Sequence, residues 1–213
     1  GNLKFDQPFP HIDKDRWKKE LGIQEGEKVI TLGSTHEPEE EMLLSILEKF
    51  PAWKILLVPR HPERFDQVAE LIRARLPMVR KSQVTPNEMA DALRDGAVVL
   101  GDTMGQMTFY YALSDVVMMG GSFAPLGGQN FIEACAMGRP ILLGQHTFNF
   151  QQAAIDAIEM GAALRVLDEG QLVHAMSQLM DDLPLFERMS ASALDYSLAH
   201  AGAIDRILRQ LPD

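Results

Sequence analysis

The stretch Gly127-Gly128-Gln129-Asn130-Phe131-Ile132-Glu133 holds the residue types from which a nucleotide site is built. Glycines leave backbone N–H groups open to a phosphate, and a carboxylate one turn into a helix can accept the hydroxyl protons of a ribose. The same residues have a second use, because Asn130-x-x-Glu133 has the spacing of a capping box, in which each side chain satisfies a backbone donor. Gly120 and Gly121 precede this stretch, and so many glycines before one helix exceed what a cap requires. That count favours a ligand site, with Asn130 to Glu133 as its frame, while the cap stays open. Two further positions could join it. Arg60 stands between an apolar run and Pro62, where a guanidinium can pair with a phosphate or sit exposed in a salt bridge. Gly105, in Gly101-Asp102-Thr103-Met104-Gly105-Gln106, either lets a ligand approach the main chain or simply makes a turn.

Other constellations carry less. Asp13-Lys14-Asp15 has the spacing of a metal–nucleotide pair but lies in a polar lead-in, where a solvated face explains it. The six histidines show no metal-ligand spacing, and neither GxSxG nor GxxxxGK[ST] occurs. Cys135 reads as a small buried residue and the methionines as core filler. A formal charge of −10 and a pI near 5.0 disfavour any general affinity for nucleic acid or an anionic membrane, so an anionic ligand needs a locally positive site. The single cysteine excludes an intrachain disulfide and fits a reducing compartment. No apolar run reaches the roughly 18 residues of a membrane span.

These residues are positioned by a regular alternation. Short apolar runs at 28–32, 54–58, 97–100, 116–119, 141–143 and 164–166 read as buried strands. Helices fit after Glu37, where an acidic first turn leads to about Phe50, and at 62–75, 106–113, 131–137 and 150–160. Strands without polar alternation, interleaved with helices, predict a parallel sheet covered on both faces, a doubly wound, Rossmann-like α/β domain. Residues 1–26 read as a lead-in with a short helix near 14–21, and residues 27–213 as the ligand-binding domain. From Glu169 onward two outer helices are expected, with Pro184 between them. The stretch 82–95 is either a loop or a helix capped by Thr85 with Glu88. In such sheets, ligands bind beyond the carboxyl ends of the strands, which here are the junctions Gly33 to His36, Pro59 to Pro62, Gly101 to Gln106, Gly120 to Asn130 and Gly144 to Asn149.

Taken together in order, Pro59-Arg60-His61-Pro62, Gly101-Asp102-Thr103-Met104-Gly105, Gly120-Gly121-Ser122, Gly127-Gly128-x-Asn130 with Glu133, Gly138-x-Pro140 and Gly144-x-His146-Thr147-x-Asn149-Phe150 resemble the carboxyl-terminal half of the bacterial Kdo (3-deoxy-D-manno-octulosonic acid) transferases, two-domain GT-B glycosyltransferases. The resemblance runs from Gly1 to about Phe150, and Gly1 to Asp6 is similar to the family's segment joining the two halves. It implies transfer of Kdo from CMP-Kdo to a lipid A precursor. The carboxyl-terminal half would bind the CMP part: Pro59 and Arg60 would meet the nucleotide, Met104, Gly105 and Gln106 would line it through main-chain groups, and Asn130, Phe131, Ile132 and Glu133 would frame phosphate and ribose. No metal or cofactor is implied.

The resemblance also implies that the catalytic base, the lipid acceptor and the anchor to the cytoplasmic face of the inner membrane belong to an amino-terminal half absent from this sequence, so that the chain alone binds donor and transfers nothing. Gln106 and Gln129 depart from the Glu and His of many relatives, and Gln151 from a common Lys. A UDP-sugar transferase, a UDP-sugar 2-epimerase half and a non-catalytic nucleotide-binding module are the alternatives.

Overall fold

The computed structural model describes residues 14–24 and 26–200. Its centre is a seven-stranded sheet, parallel at every pairing, with strands β1 (Lys28–Thr35), β2 (Trp53–Pro59), β3 (Met78–Arg80), β4 (Val98–Leu100), β5 (Val116–Met119), β6 (Ile141–Leu143) and β7 (Ala163–Arg165) in the spatial order β3-β4-β2-β1-β5-β6-β7. The chain winds outward from β1 in one direction through β2 to β4 and β3, then returns to β5 on its other side. This reversal makes the β1/β5 edge the switch point, where a crevice opens beyond the strand ends.

Successive side chains of a strand point to opposite faces, and here both faces are apolar. Ile30, Leu32, Ile55, Leu57, Val98, Leu100, Val116 and Met118 enter one core with α2 (Glu39–Leu47), α3 (Phe65–Arg73) and α8 (Glu169–Asp181). Their neighbours Val29, Leu56, Val58 and Val99 pack with α4 (Pro86–Arg94) and α5 (Met107–Leu113). Val117, Met119, Ile141 and Leu143 pack with α6 (Ile132–Ala136), α7 (Gln151–Glu159) and α9 (Leu183–His200). Two-sided burial explains why these strands read as unbroken apolar runs.

The lead-in region contributes to the same body. Helix α1 (Lys14–Glu20) is followed by Leu21 and Ile23, both buried beside Val29 and Leu56, and Lys18 donates to the buried carboxylate of Asp115 at 2.6 Å. Asp13 of the Asp13-Lys14-Asp15 pair, and Gly1 to Asp6, lie outside the described residues.

Several expectations change in detail. The stretch 82–95 contains α4, and its amino terminus carries the complete Thr85/Glu88 capping box. The region expected as one helix over 62–75 begins with a 3-10 turn at Pro62–Arg64 before α3. Pro184 lies inside the first turn of α9 rather than between the two outer helices, because a proline early in a helix forfeits no helical hydrogen bond. Strand β3 was not expected: it is a half-buried, three-residue strand at the sheet's edge and lacks the apolar run that marks the others.

Candidate donor-nucleotide site

Four strand ends converge on one cavity of about 390 Å³ beyond the switch point. Strand β1 contributes Ser34. This residue lies at an irregularity in the β1/β2 register and has φ +56, the only positive φ among the described non-glycine residues. A strained residue at a strand bulge is a recurrent feature of functional sites, since the bulge re-aims a side chain. Arg60 follows β2, and its N–H donates to the Thr35 carbonyl at 3.0 Å. The guanidinium is exposed, lines the cavity, and has no carboxylate partner among the described residues, unlike the salt-bridged surface arginine that was the other expectation.

Gly105 has φ +75, and a Cβ built on it meets nothing within 4 Å, so its backbone faces open space at the start of α5. Thr108 and Tyr111, three residues apart on α5, add one helix face. Gln129, Asn130 and Glu133 form the opposite wall with Phe150. The structure therefore brings Arg60, Gly105, Asn130 and Glu133 together from separate segments.

The remaining expected residues surround this group without lining it. Pro59 is buried at the end of β2. Met104 is 64% exposed and is not among the residues that line the cavity. Gln106 accepts from the Thr103 hydroxyl at 2.9 Å and lines a neighbouring, largely apolar cavity of about 420 Å³ with Trp17, Val84, Met89 and Phe109. Gly105 and Thr108 are common to both cavities. Phe131 and Ile132 are core residues behind the wall, Phe131 stacking on Tyr196 at 6.3 Å.

Asn130 does not cap the helix as its spacing with Glu133 allows. The N-cap of α6 is Phe131, and the Asn130 side chain accepts from the Ile132 N–H, two residues on, at 3.2 Å. Seating the Phe131 ring against Tyr196 and Phe150 delays the helix by one residue. The glycines before it are packed rather than loose. Gly121, Gly127 and Gly128 all have positive φ, and a Cβ on Gly127 would fall 2.5 Å from the Asn149 side chain. The Gly128 N–H donates to Gly121 O at 2.8 Å, and the Asn149 N–H to Gly127 O at 3.0 Å.

The acidic first turn of α2 holds an unexpected feature. Glu39 and Glu40 are 2% and 1% exposed. Glu40 is fully engaged, receiving two bonds from Arg64 at 2.7 and 2.8 Å and one from the Thr35 hydroxyl at 2.9 Å. Glu39 takes N–H groups instead, from Gly121 at 2.7 Å and His36 at 2.8 Å, both on Oε1. Burial pushes its carboxyl up to about 7, against the backbone bonds that lower it. The folded state then holds this proton more tightly than the unfolded chain, so the group's ionisation erodes stability as pH rises from the ordinary value of 4.5 through about 7. Burial likewise holds His36 below the ordinary histidine range, aided by His61, whose ring lies 5.2 Å away. Acidic residues at a helix start read as dipole complements, and nothing in their spacing marks two of them as buried.

No family model matches the chain. It is 43% identical to the 3-deoxy-D-manno-octulosonic acid transferase of Bordetella pertussis and 33% identical to that of Haemophilus influenzae, over 100% and 98% of its own length. It spans about half the length of these curated relatives, 50% and 49%. The decisive likeness is to the C-terminal CMP-Kdo binding domain of WaaA from Acinetobacter baumannii, with TM-score 0.76, 31% identity and coverage of 86% of this chain and 95% of that domain. The chain belongs to the Kdo transferases. Its doubly wound sheet is the carboxyl-terminal, Rossmann-like half of their GT-B fold, and the cavity at the switch point is the candidate site of this Kdo-transferase domain. Among the described residues no helix is long and apolar enough to cross a membrane, and no group of three or more His, Cys, Asp or Glu side chains converges as a metal site.

Proposed function

We propose that this chain is the donor-binding domain of a Kdo transferase and that it holds CMP-Kdo by the CMP portion. The observation that carries this reading is the convergence of Arg60, Gly105, Asn130 and Glu133 on one cavity beyond β1 and β5. In this reading Arg60 meets the phosphate, the main chain around Gly105 approaches the nucleotide, and Glu133 accepts from the ribose hydroxyls. Helix α6 is five residues long, so its macrodipole is small, and the positive charge in the cavity lining comes from Arg60 on the facing side. A guanidinium without a carboxylate partner is free to form a paired contact with phosphate oxygens. No cofactor is invoked.

In the whole protein, we propose, an acceptor hydroxyl of a lipid A precursor attacks the anomeric carbon of Kdo. The bond from that carbon to the phosphate oxygen breaks with its electron pair, leaving CMP, and the hydroxyl proton passes to a base on the amino-terminal half. That half also carries the acceptor site and the attachment to the cytoplasmic face of the inner membrane. Charge grows on the CMP phosphate as the bond breaks, and Arg60 stabilises it most at that point. Calorimetric titration with CMP, UDP and UMP tests the assignment: CMP is expected to bind at least about tenfold tighter than either uridine nucleotide. A preference for UDP would assign the cavity to a UDP-sugar instead.

A further inference from the structure

Glu39 stands where a helix needs only a solvent-facing acid, yet its carboxyl is buried, and its Oε2 has no hydrogen-bond partner among the described residues. Taking a carboxyl out of water is costly unless its bonds repay it. Arg64 is committed to Glu40, so Glu39 is compensated by main-chain N–H groups, those of Gly121 and His36.

Those N–H groups belong to two loops that flank the cavity. Gly121 packs against Gln129, since a Cβ there would lie 3.4 Å from the Gln129 amide nitrogen. Gln129 in turn reaches His36, its Nε2 lying 3.1 Å from the imidazole Nε2. A closed ring runs from Glu39 to Gly121, Gln129, His36 and back, and Gln129 is a wall of the cavity beside Asn130.

We propose that Glu39 is a positioning residue of the donor cavity: by tying Gly121 to His36 it holds Gln129 and Asn130 opposite Ser34 and Arg60. The inference rests on the donor-binding reading above. Its functional signature is a proton. The groups facing Glu39 are His36 and Glu40 from its own segment and Arg64 from the turn after β2, while the glycine loop presents the Gly121 N–H. The negative charge that CMP brings to the cavity walled by Gln129, a member of this ring, is expected to draw a proton at pH 7 onto the Glu39 carboxyl, which burial has already pushed to about 7.

The test is calorimetric titration of CMP at pH 7 in two buffers of different ionisation enthalpy, on the wild type, Glu39→Ala and Glu39→Gln. Glu39→Gln keeps the accepting oxygen and is expected to bind within about threefold of the wild type. It should take up fewer protons, by as much as about half a proton per site. Protons exchanged by CMP itself and by other groups remain in that variant, so the difference belongs to Glu39. Glu39→Ala, if folded, should bind at least about tenfold weaker. Wild-type affinity in folded Glu39→Ala, or the wild-type proton count in Glu39→Gln, overturns the inference. The second readout decides if Glu39→Ala does not fold. Absence of CMP binding to the wild type overturns the donor reading along with it, whereas normal binding with an unchanged proton count overturns the Glu39 inference alone.

Discussion

Arg60→Ala is expected to weaken CMP binding by roughly 10- to 100-fold, about 1.5–3 kcal/mol, with little change in thermal stability. The affinity loss follows from charge-assisted bonds to the phosphate. The unchanged stability follows from the side chain's exposure and its lack of a carboxylate partner among the described residues. Glu133→Gln should also weaken CMP, by about tenfold, because a neutral amide accepts less strongly from ribose hydroxyls. In 2′,3′-dideoxy-CMP, which has no such hydroxyls, the penalty should vanish. Titrating both variants, with melting curves taken alongside, separates ligand contacts from fold defects. A persistent Glu133→Gln penalty with the dideoxy nucleotide would remove Glu133 from ribose recognition.

Gly120→Ala is expected to cost about 3 kcal/mol or more of folding stability. A Cβ at this position would lie 2.2 Å from the Ser34 carbonyl oxygen and 2.7 Å from the Thr35 Cα, so the clash is with backbone that no rotamer change relieves. Gly120 N–H also donates to Gly33 O at 2.8 Å, which fixes β5 tightly against the end of β1. Any relief must separate β1 from β5 at the switch point and shift Ser34 at the cavity wall. Chemical denaturation should show the lower midpoint, and the folded fraction should bind CMP less tightly than the wild type. A variant of wild-type stability would mean that the strand ends are looser than this packing requires.

The fold was legible in the sequence to the extent that burial leaves a pattern. Runs such as 116–119 and 141–143 are apolar on both faces because helices cover both, and that condition alone distinguishes a parallel sheet from an antiparallel one with a wet face. Met78–Arg80 escaped because an edge strand needs no such run. Of the residues that meet at the cavity, Asn130 with Glu133 after a glycine-rich loop stood out by residue type, whereas Arg60 and Gly105 read locally as well as a surface salt bridge and a turn, and only the resemblance joined them to the set. Thr108 and Tyr111 carry ordinary side chains, and only their three-residue spacing on a helix starting beside Gly105 could have placed them on the site. Glu39 was hidden by its neighbours, since a run of acids before a helix has a sufficient electrostatic explanation without any of them being buried. The Asn130 cap failed for a reason outside local sequence: the aromatic contacts of Phe131 with Tyr196 and Phe150, the first of which spans 65 positions (196 minus 131), set where the helix begins.

Backbone amide chemical-shift mapping of CMP binding to the isotopically labelled chain tests the central assignment most directly. The account predicts that the largest shifts fall at Ser34, Arg60, Gly105, Thr108 and the run from Gln129 to Glu133, the segments that meet at the cavity beyond β1 and β5. Shifts confined to Trp17, Val84 and Met89, around the neighbouring apolar cavity, would contradict it.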